Sequence, residues 1–198
     1  MNLLTAIESS AEEAVRAAQF IQRPESLEFI DKVSDLLAKS FAAGGKLLVA
    51  GNGGSLCDAA HFAEELTGFY RSKRAALPAI ALSEPGHMSC VANDTGFDEV
   101  FSRPVEAYGK PGDVLVLLTT SGNSNNLYKA AEAARVKGLY TVAFLGKTGG
   151  KLKGVCNLEW MVTGFPYSDR IQEAHMAAIH IIIEQLEYKL FPELRPLS

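Results

Sequence analysis

Short apolar runs alternate with helical stretches along this chain, and that alternation limits its fold more than any single residue does. Lys46–Ala50 (KLLVA), Ala79–Leu82, Val114–Leu118, Tyr140–Leu145 and Leu158–Val162 each read as a short strand, the first and third as buried ones. Between them, spacing predicts helices over about Cys57–Gly68, His87–Asn93 and Asn125–Lys137, the last stopped by Gly138. A long final helix is expected to start at an Asp169 N-cap and to run to about Leu190, ended by Pro192. Leucine and alanine at helical spacing predict a leading helix over 3–21. Pro24 suits the first turn of a second helix, which reaches about Ala43 and stops at Gly44 and Gly45. Strands alternating with helices imply the α/β class: a three-layer sandwich around a doubly wound parallel sheet of about five strands. The two N-terminal helices, residues 1–43, lie outside that unit, and the 198 residues are read as one domain.

Composition then excludes several function classes. The formal net charge is −4, so there is no broad basic surface for nucleic acid. The one basic cluster, Arg71, Lys73 and Arg74, is short and reads as a solvated loop. Three cysteines, widely spaced and without CxxC, argue against a disulfide framework and against a cysteine-ligated zinc. The N-terminus lacks a basic region, and Glu8, Glu12 and Glu13 interrupt its apolar residues, so it does not read as a signal peptide. Apolar runs such as Ala177–Ile183 fall far short of a bilayer span. A cytoplasmic protein without a membrane partner is expected.

Two loops sit where open parallel sheets bind ligands, at the carboxyl ends of strands. The first is Ala50–Ser55 (AGNGGS), whose glycines let backbone N–H groups approach an anion just before a helix N-terminus. It is neither the dinucleotide fingerprint, since position 56 is Leu, nor a P-loop, since no Gly-Lys-Ser/Thr follows. The second is Thr119–Ser124 (TTSGNS), which adds hydroxyls at another helix N-terminus. One such loop alone is best read as a tight turn. Two of them after two buried strands point to a phosphorylated small molecule.

Ionisable groups gather nearby. His61 and Glu65 are four apart and share one helical face, as joint metal ligands, as an acid–base pair, or as a plain surface pair. On the last helix, Gln172, His175 and His180 lie in the apolar stretch IQEAHMAAIHIII, where a histidine is either functional or buried against a carbonyl. Asp94 and Asp169 are candidate substrate contacts, or simply a turn residue and an N-cap.

These residues carry a resemblance. The segments GGKLLVAGNGGSLCDAAHFAEELTGFYR, SCVANDTGF, FSRPVEAYGKPGDVLVLLTTSGNSNN, GGKL and DRIQEAHMAAIH are similar to the SIS-domain sugar isomerases, specifically the bacterial sedoheptulose 7-phosphate (phosphoheptose) isomerases. The resemblance covers about Ala43 to Ile183. It implies that Asn52, Gly53, Gly54 and Ser55 form a substrate loop, that Thr119, Thr120, Ser121 and Ser124 bind the phosphate, and that Asn93 and Asp94 touch substrate. It further implies a Zn²⁺ held by His61, Glu65, Gln172 and His180, with Glu65 and His180 also the acid–base pair and Asp169 a polar active-site group. A homotetramer with active sites at subunit contacts is implied, as is a first step toward ADP-heptose and the lipopolysaccharide core. Two positions depart from the family pattern. Phe69 stands where the family carries Arg, which puts a basic contact in doubt unless Arg71 replaces it, and Thr119 stands where Ser is common.

Aldose–ketose isomerisation moves a proton between adjacent carbons through an enediol, and a carboxylate with an imidazole suits it. A metal would stabilise the enediolate oxygen, although a metal-bound carboxylate is a weaker base, so zinc could equally be organisational. Gln172 and His180 are eight residues apart, about 12 Å along one straight helix. Either Gln172 precedes the regular helix or the two reach a given metal from different protomers. The competing readings are a non-catalytic SIS protein that binds the replication initiator, a sugar-phosphate sensor, and an isomerase for another sugar phosphate. The presence of all four metal-site residues favours an enzyme over the first, and the second would need room for a DNA-binding domain.

Overall fold

The computed structural model describes residues 2–195. Five parallel strands form one sheet: β1 (Leu47–Gly51), β2 (Ala79–Ala81), β3 (Val114–Leu118), β4 (Tyr140–Gly146) and β5 (Leu158–Val162), in the order β2-β1-β3-β4-β5. The register is set by facing apolar residues, with Leu47 opposite Val114 and Val114 opposite Tyr140. Every residue of β1 and β3 is buried, because helices cover both faces.

Alternation along the strands divides the core in two. Leu47, Val49, Val116, Leu118, Val142, Phe144 and Trp160 face one side, against α2 (Pro24–Ala42), α3 (Gly54–Thr67) and α7 (Ser168–Leu190). Leu48, Ala50, Leu115, Leu117, Ala143 and Leu145 face the other, against α4 (Pro85–Asp94), α5 (Ser102–Tyr108) and α6 (Asn125–Lys137). The three-layer α/β architecture expected from the alternation is therefore present. Helix α1 (Leu3–Gln19) packs on α7 and leaves Leu3, Leu4, Ile7 and Val15 exposed. Among the described residues, no helix is long and apolar enough to cross a membrane.

Local differences from the sequence reading have physical causes. Helix α3 starts at Gly54 rather than near Cys57, because Gly53 at φ +57° turns the chain and Ser55 and Leu56 bond at once to the carbonyls of Asn52 and Gly53. Helix α5 was not anticipated; it has only seven residues, and Pro104 sits in its first turns. Asp169 is not the N-cap of α7. That position is Tyr167, and Asp169 lies in the first turn, where a carboxylate still favours the helix dipole.

Candidate active site

The sheet order reverses direction at β1 and β3, and both glycine-containing loops leave the carboxyl ends of those two strands. This is the topological switch point of an open α/β sheet. Asn52 and Asn126 lock the loops together through two reciprocal amide hydrogen bonds of 3.0 and 2.9 Å. A hollow of about 430 Å³ opens beside that pair, lined by Gly53, Phe97, Asp98, Ser124 and Lys151 among others.

The hydroxyls of the second loop have distinct local duties. Thr119 Oγ1 accepts from the Gly122 N–H at 3.1 Å, and Ser121 Oγ accepts from the Asn123 N–H at 3.3 Å, so both shape the turn. Each keeps its O–H proton for another acceptor. Thr120 donates to Ser168 Oγ at 3.0 Å. Ser124 holds the N-cap position of α6 without making a side-chain cap bond, which leaves first-turn N–H groups free for an anion. Gly122, at φ +66°, packs directly on the Gly149 carbonyl, so a side chain here is excluded both by conformation and by space.

Helix α7 crosses beside the first loop. Gln172 donates from Nε2 to the buried Ser55 Oγ at 3.3 Å. A Cβ on Gly54 would lie 2.7 Å from that same nitrogen, so glycine there is what lets the amide reach the loop. Gln172 lies inside α7, which removes the option that it precedes the regular helix. Its amide sits at Ser55, about two turns before His180.

The remaining ligand candidates converge. His61 and Glu65 on α3 and His180 on α7 present donor atoms that all lie within 4.8 Å of one another. His61 Nε2 is 3.2 Å from Glu65 Oε1, and the His61 and His180 rings meet edge to face with centroids 5.1 Å apart. Tyr70 stacks on the other side of His180, 5.6 Å away at 17°. Burial chiefly, then the neighbouring His61, lowers the His180 pKa, so its neutral imidazole is favoured. The buried histidine bonded to a carbonyl is instead His175, whose Nε2 lies 3.1 Å from the Leu145 oxygen; burial drives its pKa down to about 4.

Other candidates stand apart from this group. Asn93 and Asp94 are exposed at the end of α4 and bond to each other at 2.8 Å. Asp169 is exposed and lies 3.9 Å from Arg170.

Residues 11–146 match the SIS domain family. The phosphoheptose isomerase of Fusobacterium nucleatum is 50% identical over 193 residues, which is 98% of this chain and 97% of that protein. The chain belongs to the SIS-domain phosphoheptose isomerases. The phosphoheptose isomerase of Photorhabdus laumondii is 52% identical over 90% of this chain and 93% of its own. Solved phosphoheptose isomerases have the same architecture. That of Francisella tularensis gives a TM-score of 0.88 at 31% identity, covering 94% of this chain and 98% of that one. That of Neisseria gonorrhoeae gives 0.85 at 34% identity, covering 94% and 99%. Membership places the chain among the aldose–ketose isomerases.

Within this family frame, three residues passed over in the sequence and one misjudged there acquire roles. Asn126 fixes the spacing of the two loops, and Lys151 brings a cation to the hollow, its Nζ 2.8 Å from Asn125 Oδ1. The GGK stretch after β4 was the available signal for Lys151. Tyr70 forms a wall for His180, and Arg74 is buried under the loop that carries it. The expectation that Arg71, Lys73 and Arg74 form a solvated loop is corrected for Arg74, whose side chain is 1% exposed; Arg71 and Lys73 are exposed, with Arg71 paired to Glu184 on α7. Neither acidic partner lies near in sequence, so nothing local marks the pairing. Phe69 is exposed, and Arg71 is the cation whose charge reaches His180.

Proposed function

We propose that this protein converts sedoheptulose 7-phosphate to D-glycero-D-manno-heptose 7-phosphate, acting in the cytoplasm. The observation that carries this reading is the meeting of Glu65 with His180 beside two loops suited to a sugar phosphate. The phosphate is held by Thr119, Thr120, Ser121 and Ser124 and by the free N–H groups of α6. Asn52, Gly53, Gly54, Ser55 and Gln172, with Asn93, Asp94 and Asp169, contact the sugar chain. Anchoring the phosphate fixes which two carbons face the acid–base pair. Glu65 removes the proton from one carbon, and His180 returns one to the adjacent carbon of the enediol, so that the sugar gains and loses no proton overall.

The donor set of two imidazoles and one carboxylate suits Zn²⁺. His61, Glu65 and His180 would hold it, with Gln172 of the partner subunit as a further ligand. Zinc supplies Lewis-acid stabilisation of charge on the substrate oxygens. A homotetramer with shared sites agrees with the unpartnered apolar residues Leu3, Leu4, Ile7 and Val15 of α1.

Incubation with sedoheptulose 7-phosphate, with chelator and after zinc is returned, tests this reading. Conversion to the aldoheptose phosphate that stops with chelator and resumes with zinc is expected. No turnover in the presence of zinc overturns it. A fully active monomer overturns the shared site.

A further inference from the structure

Among the described residues, the Arg74 guanidinium is the most heavily engaged side chain that neither loop nor acid–base pair accounts for. Its Nε donates to Glu187 Oε1 at 2.8 Å. One terminal nitrogen, Nη1, donates to the carbonyls of Leu66, Gly68 and Ala75 at 2.8, 2.8 and 3.1 Å. The other, Nη2, donates to the carbonyl of Glu65 at 2.8 Å. The carbonyls of a final helical turn have no partner within the helix, so Arg74 completes the end of α3 and places a cation at its negative pole.

The same side chain crosses to α7. Arg74 and Glu187 are 1% and 4% exposed, and Glu187 Oε1 also accepts from the Tyr70 N–H at 3.4 Å. Arg71 pairs with Glu184, one turn earlier on α7. The segment from Gly68 to Ala75 is thus tied to two carboxylates on successive turns of α7, and it carries the Tyr70 ring onto His180. One guanidinium therefore binds both the backbone of Glu65 and the helix that bears His180.

Burying an ion pair of this kind is poor value for stability alone, because desolvation offsets most of the attraction. What it fixes is geometry. A planar five-donor fork can meet acceptors from two helices at once, whereas lysine offers a single point charge. We propose that Arg74, together with Glu187, is a positioning residue that sets the separation of Glu65 from His180 for proton transfer. This rests on the isomerase reading for its kinetic consequence but not for its structural one.

The test compares wild type, Arg74→Lys and Glu187→Gln in three measurements: thermal unfolding, steady-state kinetics on sedoheptulose 7-phosphate with zinc, and the NMR signal of the His180 imidazole. Arg74→Lys is expected to fold and to lower kcat by roughly 100-fold, the scale of an ångström of misplacement. KM should change little, because the phosphate loops are untouched. The His180 signal should lose the displacement that the Tyr70 ring current imposes. Glu187→Gln, which keeps the carbonyl clamp, should move the same quantities less. A folded Arg74→Lys protein with wild-type kcat and an unmoved His180 signal, altered only in melting temperature, overturns the proposal. If Arg74→Lys does not fold, Glu187→Gln decides by the same readings. If the wild type does not isomerise the sugar, the isomerase reading falls, and the His180 signal alone decides this one.

Discussion

His61 and His180 meet edge to face, 5.1 Å between ring centroids, from helices α3 and α7, which strands β2 to β5 separate in sequence. Glu65, one turn after His61, completes the group. The proposed acid–base pair thus forms only where these two helices pack, and its parts are separately removable.

Replacing Glu65 by Gln, or His180 by Gln, keeps volume and removes the proton-transfer function. Each should reduce kcat by about 10²–10⁴-fold with little change in unfolding free energy, since both groups are only partly buried. Rates of aldoheptose phosphate formation check this. Near-normal turnover in either variant takes that residue out of the mechanism.

Asn126 is buried, and its amide is satisfied by Asn52. Asn126→Ala leaves the Asn52 amide without its partner, at a cost of about 1–3 kcal/mol. The two loops would also lose their fixed spacing, so KM should rise more than kcat falls. Urea unfolding together with substrate titration reads both effects, and unchanged values of each would contradict the interloop role.

Gly122 pairs a positive φ with direct contact to the Gly149 carbonyl. Gly122→Ala should therefore destabilise by more than about 1 kcal/mol and push the Thr119–Ser124 loop, the proposed phosphate site, off the loop after β4, raising KM. An alanine variant as stable as wild type would mean that the two loops separate at no cost.

His175 titrates near 4 in the fold against 6.5 when exposed, because burial disfavours its cation. Its Nε2–H donates to the Leu145 carbonyl, and Nδ1 faces no acceptor, so a second proton has no partner. Below pH 6.5 the unfolded chain takes up a proton that the fold refuses. Stability therefore falls as pH drops from 6.5 to about 4, by up to roughly 3 kcal/mol from this group. Denaturant unfolding across that range should show the slope, and His175→Gln should flatten it even if it lowers stability at pH 7. An equal slope in the variant would assign the acid sensitivity elsewhere.

The local pattern carried much of the fold. Strands β3 and β5 and helix α6 begin and end where apolar runs, Ser124 and Gly138 place them, because strands of a sheet covered on both faces are mainly apolar and a left-handed glycine ends a helix. The two glycine loops were legible for the same reason: a chain that turns sharply from strand to helix leaves glycine, asparagine and serine behind. His61 with Glu65 was legible as an i,i+4 pair.

What only the tertiary structure decided is which distant groups meet. No local pattern distinguishes His175 from His180, five residues apart on one helix, and only the family resemblance singles out His180; their positions around α7 send one to the Leu145 carbonyl and the other to His61. Arg74 reads as one cation in a basic loop until Glu187 closes over it. Asn52 reads as a loop residue and Asn126 as one of a helix's first residues until adjacent strands bring them together. Periodicity and turn chemistry are local and are written in neighbouring residues. Pairing across α3, α7 and the two loops depends on packing angles that no stretch of sequence contains.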